Sequence, residues 1–252
     1  MKNNYLKFSL ICMSVVMFSC KETKESTNAD EAASTKTTTV EKPVQNHIVT
    51  AEQQAKLTPD EILADFKTGN ERFRNNNLTV RDHDEQLRKS ALGQFPKAFI
   101  LSCVDSRVPV EDLFDQGIGD VFVGRVAGNF ADENMLGSME FACKVAGAKL
   151  IMVMAHQHCG AVKATIDNVE LGNITSLVDN IKPAIAMSSS FTGEKKVKND
   201  DYVKLVAENN VKHTIENIRK ESPILKEMES KGEIKIVGVY YSLETGKLDF
   251  IQ

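Results

Sequence analysis

The sequence predicts an α/β protein with a central, mainly parallel β-sheet flanked by helices. Two observations lead there. Four short runs, KAFILS (97–102), DVFVGRV (120–126), KLIMVMA (149–155) and EIKIVGVYY (233–241), have strand length and are apolar almost throughout rather than alternating. That is the pattern of strands buried on both faces. Helical segments separate these runs, and strands that alternate with helices pack as a parallel sheet. With 252 residues, 42% of them hydrophobic, the chain has material for one sizeable core.

The first helix is expected in TPDEILADFKTGNERF, where Thr58 can cap, Pro59 suits the first turn and Glu61 completes a capping box. Ile62, Phe66 and Phe73 then share a face. A second helix is expected near Asp84 to Ala91, before KAFILS. A third begins near Asp132, with Met135, Met139, Ala142, Cys143 and Ala146 at helical spacing. Another starts at about Gly160. The segment 200–221 is long and amphipathic, with Val203, Val206, Val211, Ile215 and Ile218 largely to one side. In the tail SLETGKLDFI, a Thr-Gly turn between apolar runs predicts a last, hairpin-like edge strand.

The N-terminus has a different character. Lys2 and Lys7 precede the apolar run FSLICMSVVMF (8–18), and Cys20 opens an abruptly polar stretch. Residues 1–19 are expected to be a signal peptide, since the apolar run is far short of the roughly 20 residues of a membrane-spanning helix. MFSC resembles a bacterial lipobox, in which Cys20 is lipidated and becomes the first mature residue. The expected location is the cell envelope, as a periplasmic or outer-membrane lipoprotein held to the membrane by its lipid. Residues 20–50 are then a disordered tether, too polar to offset the entropy of ordering them, and the folded domain spans 51–252. Cleavage removes Lys2 and Lys7 and takes the side-chain charge from the −4 of the whole chain to −6. No Lys/Arg stripe with interleaved aromatics appears, so nucleic acid is not an expected partner.

In parallel sheets, polar chemistry collects at the carboxyl ends of strands. One run ends in CVDSRVP and another in HQHCG. Cys103, His156 and Cys159 are three donors of the kind used in catalytic zinc sites, which leave a fourth position for water. His156 stands three residues before Cys159, so a strand end turning into a helix can aim both at one ion. His158 is adjacent to Cys159, and neighbouring side chains point apart. Cys103, Asp105 and Arg107 alternate, so an extended stretch would place them on one side, with Asp105 accepting from Arg107. The competing reading is a surface ion pair beside a core cysteine. Cys143, on an apolar helical face, reads as core packing.

Both segments together, SCVDSRVPVEDLFDQGIGDVFVGRVAGN and HQHCGAVKA, resemble the beta-class carbonic anhydrases, whose CxDSR and HxxCG signatures they match in order and context. The likeness runs from about Thr58 to Gln252 and implies the fold of that family. It also implies one zinc ion per subunit on Cys103, His156 and Cys159, with Asp105 and Arg107 as the adjacent catalytic dyad. Gln94 and Phe122 fall where the family lines its substrate pocket, and Gly160 where a backbone amide faces the anion. The implied reaction is hydration of carbon dioxide to bicarbonate and a proton by zinc-bound hydroxide, in a homodimer or tetramer. RVAGN (125–129) departs from the RNAGN of many members. Three rival readings are a carbonyl sulfide or carbon disulfide hydrolase on the same scaffold, a non-catalytic structural zinc module, and a redox dithiol. The last lacks the usual CxxC spacing.

Overall fold

The computed structural model describes Val44 and residues 47–251. The signal segment, Cys20 and most of the expected tether lie outside the described residues. The tether was expected to reach Thr50, yet Ile48 is half-buried and Val49 buried. Thr50 caps a short helix, α1 (Ala51–Lys56), through a capping box with Gln53. The buried Gln54 of α1 donates to the carbonyls of Pro96 and Ala146, tying this helix to the strand layer.

Helix α2 (Pro59–Arg74) begins at the Thr58 capping box read from the sequence, and it buries Ile62 and Phe66. Phe73 is only half-buried. Helix α3 (His83–Ser90) is capped by Asp82 and precedes β1 (Ala98–Ser102). A single turn, α4 (Val110–Leu113), leads to β2 (Val121–Arg125). Asp132 caps α5 (Glu133–Glu140), which continues into one π-helical turn, Phe141–Val145. The expected face holds for Met139, Ala142 and Cys143, which are buried, while Phe141 and Val145 are exposed.

Strand β3 (Leu150–His156), α6 (Gly160–Ile166), α7 (Asn173–Asp179), α8 (Lys182–Met187) and α9 (Asp200–Glu221) follow. Helix α9 has the bounds read from the sequence. Ser222 then caps α10 (Pro223–Ser230), and β4 (Lys235–Tyr241) and β5 (Leu248–Ile251) complete the sheet. The order is β2-β1-β3-β4-β5, parallel except for β5, which pairs antiparallel with β4.

Alternation along the strands sorts the core into two layers. Ala98, Ile100, Leu150, Met152 and Met154 face Ile62, Phe66, Leu113 and Phe114. Phe99, Leu101, Ile151, Val153 and Ala155 face the opposite layer, built mainly by α5, α9 and α10. Strand β2 departs from the expected full burial: Val121 to Gly124 are half-buried and Arg125 is exposed, because β2 is an edge with a neighbour on one side only.

One buried ion cluster fastens α2 to the loop after α4. Asp115, whose side chain is wholly buried, accepts from Arg81 Nη1 at 2.6 Å, Thr79 Oγ1 at 2.6 Å and Arg72 Nε. Burial opposes ionisation of Asp115, but the bonds from Thr79, Arg72 and Arg81 outweigh it and hold the carboxyl below its ordinary range. Asp115 has φ 50°, a conformation that asparagine also tolerates, so Asp115→Asn tests the charge and leaves the backbone alone. The expected loss is about 3 kcal/mol at neutral pH, because Arg72 and Arg81 keep some solvent contact. Since the folded pKa is depressed, this contribution is complete above the unfolded value of about 3.9 and is lost as pH falls through the folded one. Urea midpoints of the two proteins, measured from pH 7 downward, should converge in acid; a constant gap would contradict the assignment.

Candidate metal centre

The candidate donors sit where β1 and β3, adjacent and parallel, both end. Cys103 follows the last residue of β1, and His156 is the last residue of β3. The chain then turns sharply: His158 takes φ 55°, and Cys159 becomes the N-cap of α6. That one left-handed residue reverses the chain direction, so His156 and Cys159 face the same point while the His158 side chain points elsewhere. Its Nδ1 lies 3.4 Å from Asp200 Oδ1.

The donor atoms of Cys103, His156 and Cys159 all lie within 4.8 Å of one another, and the three residues are buried. The two sulfurs are 4.0 Å apart. His156 Nδ1 lies 2.9 Å from the Gln157 carbonyl oxygen, which can only accept, so Nδ1 carries the proton and Nε2 presents its lone pair. That Nε2 is buried without a hydrogen-bond partner, an orphan that a metal ion satisfies. A soft S, N, S donor set suits zinc.

The electrostatics fit the same ion. The Cys103 thiol is held below its ordinary range, because Cys159 donates to it against the cost of burial, helped by the Gly128 amide. Cys159 is pushed up by the neighbouring Cys103 and by burial. The 4.0 Å S···S contact is a thiol hydrogen bond, and a divalent cation that took both sulfurs as thiolates would displace its proton. Cys143 behaves differently: burial alone pushes it up to about 12, and it stays a packing residue.

Asp105 and Arg107 meet as expected, but through a different geometry. Residues 103–107 are not an extended stretch, since a turn forms at residues 106–107 and Val108 N–H donates to the Asp105 carbonyl. Arg107 donates from Nε to Oδ1 at 2.9 Å, from Nη2 to Oδ2 at 2.7 Å, and from its own amide to Oδ1 at 3.0 Å. The guanidinium and the amide hold Asp105 far below the ordinary carboxylate range. Asp105 Oδ2 is 3.8 Å from His156 Nε2.

Three further residues shape the site and carried no role in the sequence reading. Arg125, at the carboxyl end of β2, donates from Nε to the Cys103 carbonyl at 2.9 Å and from Nη2 to the Asp105 carbonyl at 2.6 Å. Gly128 donates its amide to Cys103 Sγ at 3.3 Å. Its φ is 81°, and a Cβ there would lie 2.3 Å from Ile181 Cδ1, so only glycine fits. Asn210 of α9 holds the Gly128 carbonyl. The legible signal was position, since RVAGN lies at the carboxyl end of a parallel strand.

A carbonic anhydrase family profile matches residues 98–248, which include every donor. Carbonic anhydrase 2 of Mycobacterium tuberculosis is 35% identical over 192 residues, covering 72% of this chain and 87% of the relative. The chain belongs to the beta-class carbonic anhydrase family. Among solved structures, the beta-carbonic anhydrase CafA of Aspergillus fumigatus superposes with a TM-score of 0.59 at 27% identity, over 68% of this chain and 82% of that one. Two tetrameric beta-carbonic anhydrases of Sordaria macrospora share the fold, with a TM-score of 0.58 at 22% identity over 66% and 85%. The beta-carbonic anhydrases are zinc enzymes, and the Cys103, His156 and Cys159 donor set fits that ion.

The remaining family positions are not gathered around the triad within one chain. Phe122 pairs in register with Phe99, four residues before Cys103, which places it about 13 Å down the sheet. Gln94 is exposed and precedes β1 altogether. Gly160 does lie at the site, exposed at the start of α6, with nothing within 4 Å of where a Cβ would be.

Proposed function

We propose that the protein catalyses the reversible hydration of carbon dioxide to bicarbonate and a proton, with one zinc ion per chain on Cys103, His156 and Cys159. The observation that carries this reading is a carboxylate held beside the donor set and kept out of it. Asp105 stands 3.8 Å from His156 Nε2, yet Arg107 engages both of its oxygens. Three protein donors therefore leave a fourth position for water or substrate, whereas a closed structural site would need Asp105 as its fourth ligand.

When bound, zinc would supply the Lewis acidity that lowers a water's pKa, to about 7 in the three-histidine carbonic anhydrase site, and so would provide the nucleophile that carbon dioxide requires. The protein's own residues position this chemistry. Asp105, kept ionised by Arg107, would accept a hydrogen bond from a water at the fourth position and orient it toward substrate. Arg107 in turn prevents the carboxylate from swinging onto the metal. The exposed amide of Gly160 lies beside Cys159, where it can donate to an oxygen of the anionic product. The named activity of the relatives favours carbon dioxide over other linear electrophiles.

The chain is further proposed to pair with a second copy along β2. This edge strand leaves one row of backbone groups without a partner strand, next to the exposed Phe141, whose ring lies 6.2 Å from Phe122. Gln94 and Phe122, remote from their own chain's donors, would then line the pocket of the other copy. The tetrameric relatives support an assembly of this kind. Location is read from the sequence: the basic start, the apolar run and Cys20 support a lipid-anchored envelope protein. No helix of the described residues is long and apolar enough to cross a membrane.

Stopped-flow assay should show carbon dioxide hydration that disappears on chelation and returns with zinc. Cys159→Ser should lose metal and activity together, and Asp105→Asn should keep zinc while kcat/KM falls about 100-fold or more. Tight zinc without hydration would overturn the reading. Sedimentation should give a dimer or a multiple of it, and Phe141→Asp should give zinc-loaded monomers with little activity; fully active monomers would sink the shared pocket. For the anchor, Cys20→Ala should move the protein from the detergent phase to the aqueous phase, and an unchanged partition would rule the lipid out.

A further inference from the structure

We infer that Asn210, on α9 and far from the donor residues in sequence, is a positioning residue for the metal centre, acting on the Cys103 sulfur through Gly128. The inference rests on the proposed metal centre and adds a residue that controls it. Gly128 and Asn129 form a turn in which both residues are left-handed, with φ 81° and 44°. Helix α9 holds this turn from behind: Asn210 Nδ2 donates to the Gly128 carbonyl at 2.7 Å, and Thr214 Oγ1 to the Asn129 carbonyl at 3.5 Å. One helical turn apart, the two side chains reach consecutive carbonyls. On its other side the same glycine donates its amide to Cys103 Sγ at 3.3 Å.

The placement of Asn210 is not explained by packing. It is fully buried on a helix whose other buried residues include Val203, Val206, Val211 and Ile218, and its Oδ1 has no hydrogen-bond partner among the described residues. A leucine would fill similar space with no unpaired polar atom. What leucine would not do is donate to Gly128. The Asn129 amide closes the turn onto the Val126 carbonyl at 3.0 Å, but the Gly128 carbonyl is held by Asn210, and a glycine's wide backbone freedom makes its amide direction depend on that hold.

An N–H donor draws electron density from a thiolate, so the Gly128 amide makes Cys103 a weaker electron donor to a bound metal. Without Asn210 the amide is no longer aimed, and the sulfur becomes more electron-rich. The chain Asn210, Gly128, Cys103 is therefore a fixed brake on sulfur donation, set by a helix whose own residues include no metal donor.

The test uses the full-length protein loaded with cobalt and, separately, with cadmium-113. In Asn210→Leu the sulfur-to-cobalt charge-transfer bands should move to longer wavelength, the direction expected of a more electron-rich sulfur. Asn209→Ala is the control: Asn209 bonds Ser188 Oγ at 2.8 Å, so this variant loosens the same helix without touching Gly128, and its bands should not move. Should Asn210→Leu fail to fold, Asn210→Ser, too short to reach the carbonyl, is measured instead. In the wild-type cadmium protein, the Gly128 amide proton should show scalar coupling to the metal through the N–H···S bond, and the Asn210 variant should lose it. Unmoved bands in a folded Asn210 variant, equal shifts in Asn209→Ala, or no Gly128 coupling in the wild type would each overturn the inference. Wild-type protein that takes up neither metal would overturn the metal centre itself, which distinguishes the two failures.

Discussion

Two buried sulfurs 4.0 Å apart, with an imidazole lone pair aimed at the same point, are the constraint on which the rest of the site depends. Such a cluster is costly in a core unless something positive joins it, because neighbouring thiolates repel and a buried lone pair without a partner is destabilising. The surroundings answer that need: amides and the Arg125 and Arg107 guanidiniums approach from the protein side, and Asp105 is turned toward Arg107 instead of adding a further negative charge. The sheet makes this possible. Two adjacent parallel strands end at one level, so residues far apart in the chain emerge side by side.

Much of this was legible in the sequence, for physical reasons. Strands β1, β3 and β4 are buried, and buried parallel strands leave an unbroken apolar run. The Thr58 capping box marked the start of α2, and the spacing of apolar residues marked α5 and α9. The HxxC spacing identified His156 over His158 because only one geometry at a strand-to-helix corner converges. The CxDSR and HxxCG signatures then joined the two segments.

What was illegible depends on contacts the chain makes with itself at a distance. Helices α1, α4, α7 and α8 are six, four, seven and six residues long, too short for periodicity to register. Helix α10 had its signal in Ser222-Pro223, overshadowed by the long helix before it. The Asp105 to Arg107 contact was read as strand alternation and is instead a turn, because β1 stops at Ser102. Arg125 was marked only by its place at a strand's carboxyl end, and the role of Asn210 could not be read at all, since it acts on a backbone carbonyl 82 residues away and a lone asparagine carries no spacing signal. Gln94 and Phe122 show another limit: both lie away from the donors of their own chain, so the contacts of one chain give them no role at the metal centre.

The donors come from two stretches 56 positions apart, and the excursion between them contains β2, an edge strand paired on one side only. An ion that joins those stretches closes a long loop and removes many conformations that the unfolded chain would otherwise explore. The entropy it removes belongs to the segment with the edge strand. Catalytic metal and structural staple are then the same object, so the working enzyme and the intact sheet edge would be lost through a single chemical event, demetallation.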